Sequence, residues 1–145
     1  MYKHILIATD GSELAGKAVA AGFELARQCG AQVTVVTVTE PWTAMVGGDA
    51  VFAFPIDEYA KAANEGAARI LDAASELARK AEITCATVHV KDQYPPEAIL
   101  DTANKIACDL IVMASHGRRG LGRLLLGSVA AKVLTHSTLP VLICR

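Results

Sequence analysis

Two segments of the chain carry residue types suited to holding an anion. The first, Ala8-Thr9-Asp10-Gly11-Ser12, follows the apolar run Ile5-Leu6-Ile7. The second begins at Ala114-Ser115-His116-Gly117, directly after Leu110-Ile111-Val112-Met113, and continues through Arg118, Arg119 and Arg123 to Gly127-Ser128-Val129. Glycine lets a backbone come close to a phosphate, and Gly127-Ser128 opens a helical pattern whose first N–H groups have no partner within the helix. Ser128 adds a hydroxyl donor. The two best-known phosphate loops do not fit. Read as Gly122-x4-Gly127, the segment puts Ser128 where a Walker A loop needs lysine. Read as Gly120-x-Gly122, it puts Leu125 where the third glycine of a dinucleotide fingerprint belongs.

Each candidate also has a plainer reading. Asp10 can cap the first helix region or hold the turn at Gly11, although a carboxylate at a strand end favours ligand contact. Ser115 beside His116 has the composition of a nucleophile and its base, but the sequence places no acid next to the histidine. Arg118, Arg119 and Arg123 can grip phosphates or form a solvated loop face. Gly127 can serve a tight turn. Joined to Ser128 and a helix start, it reads better as a phosphate contact.

The elements that must position these residues alternate regularly. Strands are expected at Ile5–Ala8, Val33–Val38, Ile83–Val90, Leu110–Met113 and Val141–Cys144. The first, fourth and fifth are apolar on successive residues, the pattern of parallel strands covered on both faces. A first helix is capped by Ser12 and stopped by Gly30, with Leu14, Ala18, Ala21, Leu25 and Cys29 as its stripe. A longer helix carries Tyr59, Ala62, Ala63, Gly66, Ile70, Ala73 and Leu77 on one face, with Asp57 and Glu58 at its start and Arg79 and Lys80 at its end. Pro96 suits the first turn of a third helix, with Ile99, Leu100, Ala103 and Ile106 inward, and a fourth runs from Ser128 to His136. This order predicts an α/β fold: an open, doubly wound, five-stranded parallel sheet with helices on both faces. Ligands of such sheets bind beyond the carboxyl ends of the strands, where both anion-binding candidates lie.

Composition narrows the function classes. The chain has 145 residues, 52% hydrophobic and 20% charged, without repeats or low-complexity tracts, so residues 1–145 read as one globular domain. Fourteen basic and 15 acidic residues give a net charge of −1, which supplies no global attraction to nucleic acid or membranes. No apolar run approaches the roughly 20 residues of a membrane span, and Met1–Ile5 runs into a strand without a leader, so a cytoplasmic protein is expected. Cys29, Cys85, Cys108 and Cys144 are scattered among apolar neighbours and read as reduced core residues, with no metal site. The stretch Pro41–Pro55 is too apolar for a plain solvated loop; it reads either as a loop folded onto the body or as a lid or partner contact.

The segment Ala114-x2-Gly117-x9-Gly127-Ser128 resembles the ATP-binding loop of universal stress proteins, whose pattern is G-x2-G-x9-G-[ST]. The resemblance extends over the whole chain, from Ile5–Ser12 to Pro140–Ile143. It implies the strand order 3-2-1-4-5, with the site between strands one and four. It further implies that the backbone near Ala8 and Val38 flanks adenine, that Asp10 approaches the ribose, that Met113 and Ala114 line base and sugar, and that Thr9 belongs to the same nucleotide-binding set. Gly117, Gly127, Ser128 and Val129 would surround the phosphates. Ala114 departs from the pattern, which has glycine there. The cofactor implied is ATP, with or without Mg, in a nucleotide-dependent stress-response sensor or regulator that turns ATP over weakly if at all. The rival readings are a slow ATPase using the same site and an interaction module that binds no nucleotide. The partner implied is a second copy, joined through the C-terminal strand.

Overall fold

The computed structural model describes residues 1–45, 47, 48, 55–118 and 125–145. Strands β1 (His4–Ala8), β2 (Gln32–Thr39), β3 (Cys85–Lys91), β4 (Leu110–Ala114) and β5 (Val141–Cys144) form one sheet in the order β3-β2-β1-β4-β5. Every pairing in it is parallel. The helices are α1 (Glu13–Cys29), a short α2 (Trp42–Met45), α3 (Ile56–Lys80), α4 (Pro95–Lys105) and α5 (Ser128–His136).

Alternation along the strands divides the core in two. Ile5 and Ile7 of β1, Val33 and Val35 of β2 and Val112 of β4 pack with Ala18 and Phe23 of α1 and Leu71 and Ala74 of α3. Leu6, Val36 and Ile111 point the other way, against Ile99 and Ala103 of α4 and Ala130 and Val133 of α5. Covering on both faces explains why β1 and β4 are apolar at successive positions. β5 shares that pattern for another reason. It is an edge strand, paired only with β4 among the described residues, and Leu142 is 40% exposed.

The first helix begins and ends as its sequence directs. Ser12 Oγ accepts from the Ala15 N–H at 3.2 Å, and Gly30 terminates the helix at φ +67°. Its buried face is turned from the expected stripe: Ala15, Ala18, Val19, Gly22, Phe23 and Ala26 face the sheet, and Ala21 is exposed. The cause is close packing. A Cβ on Gly22 would stand 2.5 Å from Ile7 Cδ1, so α1 approaches β1 along its small residues while Leu14 and Leu25 pack at the margins.

The expected face of α3 is inward only in its first half. Tyr59, Ala63, Gly66 and Ile70 are half-buried, whereas Ala67, Leu71, Ala74 and Ala78 make the core contact. Ala62, Ala73 and Leu77 are exposed. The first half of this helix overhangs the carboxyl edge of the sheet, so its inner stripe walls a cleft instead of the core. Among the described residues, no helix is long and apolar enough to cross a membrane. Within Pro41–Pro55, residues 46 and 49–54 lie outside the described residues, as do Arg119 and Arg123.

Candidate functional site

From β1 the chain enters α1 on one face of the sheet, and from β4 it enters α5 on the other. That divergence opens a crevice at the carboxyl edge. A cleft of about 670 Å³ occupies it. Ala8, Thr9 and Asp10 border it from β1, Val38 from β2, and Met113, Ala114 and Gly117 from β4 and its loop. Gly127, Ser128 and Val129 border it at the start of α5. The residues singled out in the sequence thus surround one space.

Asp10 fastens the two strand ends together. Its Oδ1 accepts from the Ser12 N–H at 2.9 Å, which fixes the turn at Gly11 (φ +80°), and its Oδ2 accepts from the Arg118 N–H at 2.8 Å. Burial raises the Asp10 carboxyl pKa, but hydrogen bonds from Ser12 and Arg118 and the Arg118 charge outweigh it and hold the group below its usual value. The clasp also explains Gly117, because a Cβ there would lie 2.5 Å from Asp10 Oδ2. Of the two plainer functions read for this aspartate, holding the turn is built in, whereas the cap of α1 is the Oγ of Ser12, whose N–H donates to Asp10.

The second segment is anchored at both ends. The Ser115 N–H donates to the Cys144 carbonyl at 2.7 Å, and the Ser115 carbonyl accepts from the Gly127 N–H at 2.7 Å. The close approach at Gly127 is consequently to protein: a Cβ would stand 3.0 Å from Ser115 O and 3.4 Å from His116 Cα. With its N–H committed, Gly127 seats the helix. The first bond within α5 runs from the Ala131 N–H to Gly127 O at 3.0 Å, so the N–H groups of Ser128, Val129 and Ala130 precede the ladder and border the cleft.

Ser115 Oγ and His116 Nδ1 are 3.0 Å apart, while His116 Nε2 is buried without a partner among the described residues. The pair exists, but among the described residues no carboxylate is bonded to the imidazole. Ala114 packs its methyl among the α1-side core residues at 8% exposure, so the departure from glycine is absorbed by the core. Among the described residues, no three His, Cys, Asp or Glu side chains gather as a metal site.

The sequence reading missed the opposite wall. Tyr59, Ala63, Gly66, Arg69 and Ile70 of α3 line the cleft, as do Glu40 after β2 and Ile99 of α4. The Tyr59 hydroxyl donates to the Glu40 carbonyl at 2.8 Å and pins α3 across the end of β2. The signal was the Ala/Gly-rich stripe of α3, which as helical periodicity alone reads as core.

Known proteins share this arrangement. The profile of the universal stress protein family matches residues 1–145. The universal stress protein YxiE of Bacillus subtilis (strain 168) is 33% identical over 152 aligned positions, covering 100% of both chains. Among solved structures, the protein MJ0577 superimposes with a TM-score of 0.83 at 27% identity, over 99% of this chain and 96% of that one. A universal stress protein solved in complex with cAMP superimposes with a TM-score of 0.69 at 27% identity, over 99% and 97% of the two chains. With the whole chain matched by the family profile and the sheet order and cleft in place, the chain belongs to the universal stress protein family.

Proposed function

We propose that the cleft binds an adenine nucleotide, with ATP as its ligand, and that binding rather than rapid turnover is what the protein contributes to a stress response in the cytoplasm. The observation that carries this reading is the convergence of three strand ends and one helix start on a single cleft of about 670 Å³, a size suited to a nucleotide. Ala8, Val38, Met113 and Val129 continue the α4–α5 side of the core to the cleft and offer an apolar slot for the base. Asp10 and Thr9, at the end of β1, border the same cleft and are the groups proposed to face the ribose. The N–H groups of Ser128 and Val129 then meet phosphate oxygens, aided by the helix dipole. Both Asp10 oxygens already accept N–H bonds, so any Mg would be carried mainly by the phosphates. The relative solved with cAMP supports an adenine ligand.

Calorimetric titration of ATP tests the reading. The wild-type protein is expected to bind, and Ser128→Ala to bind roughly tenfold more weakly, the loss of one exposed hydrogen bond to a charged group. Absence of heat from the folded wild-type protein would overturn the assignment.

The same reading includes a homodimer formed through β5. Among the described residues β5 pairs on one side only, and Leu142 of β5 and Leu134 of α5 are each 40% exposed. Light scattering at high micromolar concentration is expected to give twice the chain mass. A monomer mass under those conditions would remove the dimer.

A further inference from the structure

One end of the cleft is bordered by two arginines from opposite walls. Arg118 follows β4, with its N–H held by Asp10 Oδ2 at 2.8 Å. Its guanidinium reaches over the turn after β1, where Nη2 stands 3.2 Å from the position a Cβ on Gly11 would take. Ile70 of α3 meets the same point, with Cγ1 2.7 Å from it. Its neighbour on that helix, Arg69, borders the cleft as well.

Among the described residues, Arg69 forms no salt bridge. Glu65 and Asp72 occupy positions from which a helix commonly pairs an arginine, yet among the described residues the ion pairs are Glu24–Arg27 and Glu76–Arg79. Of the carboxylates at the cleft, Asp10 is engaged by two backbone N–H groups. At Glu40 it is the backbone carbonyl that is engaged, by the Tyr59 hydroxyl at 2.8 Å. The cleft is apolar where Val38, Met113 and Ile99 border it, and near the β1 turn it carries the Arg69 and Arg118 guanidinium groups beside the ionised Asp10.

We infer that Arg69, together with Arg118, reads the length of the phosphate chain, so that the cleft prefers ATP and ADP to AMP and cAMP. The inference rests on the cleft being an adenine-nucleotide site. The helix start at Ser128 serves the phosphate nearest the ribose, which all four ligands possess. The arginines from the facing walls meet the charge that only the longer chains extend beyond it, and a guanidinium suits that role because its planar donors match phosphate oxygens in pairs. Arg69 and Arg118 are both exposed, so their replacement leaves the core untouched.

Titration of ATP, ADP, AMP and cAMP into the wild type, Arg69→Gln, Arg118→Gln and Arg79→Gln tests the inference, with circular dichroism confirming the fold. The wild type should bind ATP and ADP roughly tenfold or more tightly than AMP and cAMP. Arg69→Gln and Arg118→Gln should each weaken ATP roughly tenfold while changing AMP and cAMP by no more than about twofold. Arg79→Gln, which removes a charge from the far end of α3, should match the wild type. Equal weakening of ATP and AMP in Arg69→Gln, or unchanged ATP affinity, overturns the inference and leaves the nucleotide site standing. A wild-type protein that binds none of the four removes both.

Discussion

Gly127→Val is expected to lose ATP binding by more than about a hundredfold and to lower thermal stability in the same protein. The two effects share one cause. Gly127 presses its backbone against the end of β4, where even a single methyl would stand 3.0 Å from Ser115 O. A branched side chain must push α5 away from the strand or distort the turn at His116. Overpacking of that kind costs about 1–3 kcal/mol. The bond from the Gly127 N–H to Ser115 O, 2.7 Å long, would be strained with it, at a further cost of about 1 kcal/mol. Movement of the helix start carries the N–H groups of Ser128 and Val129 away from the phosphates, and two hydrogen bonds to a charged ligand account for the lost affinity. Differential scanning calorimetry and ATP titration on the same samples decide the matter, with Gly127→Ala expected to fall between the wild type and the valine variant. Lost binding with an unchanged melting temperature would mean that the side chain stands in ligand space, and the backbone account of Gly127 would be wrong.

The sequence carried most of the fold because its signals were local. Ser12 and Gly30 mark the ends of α1, and Val141–Cys144 mark β5 to the residue. The face of α1 was misjudged because hydrophobicity favours Leu14 and Leu25, whereas close packing on β1 favours Gly22, and only the distance to Ile7 reveals that. At the site, position along the chain was enough to place Asp10, Gly117 and Gly127 together, since strand ends in this topology share one edge. What each of them touches was not legible. Gly117 makes room for the Asp10 carboxylate and Gly127 for the Ser115 carbonyl, contacts that join residues more than a hundred positions apart in the first case and across a loop in the second. Arg69 was hidden more thoroughly. On α3 it looks like one more solvated cation, and its bearing on the cleft follows only from where the helix overhangs the sheet.

Asp10→Asn is expected to destabilise the protein at neutral pH, and the deficit should fade in acid. The carboxylate accepts two backbone N–H groups from segments on either side of the cleft. An asparagine can accept one of them but turns an N–H2 group toward the other. Hydrogen bonds to a charged acceptor are worth about 1.5–3 kcal/mol, and partial exposure of this one places the expected loss near 1–2 kcal/mol. The sign of the pH dependence follows from the depressed carboxyl pKa. A group ionised more readily in the folded protein than in the unfolded chain stabilises the fold fully above its unfolded pKa, about 3.9, and loses that contribution as pH falls through the folded value. The stability difference between wild type and Asp10→Asn should therefore be constant from about pH 5 to pH 8 and shrink below about pH 4 as the wild-type carboxyl becomes neutral. Asp109 is also held below its usual value, burial raising it and the N–H groups of Lys3 and His4 lowering it by more. It is present in both proteins at the opposite edge of the sheet and cancels from the difference. Urea unfolding across this pH range measures that difference directly. A gap that stays the same at pH 3 as at pH 7 would show that the charge on Asp10 does not hold the clasp closed.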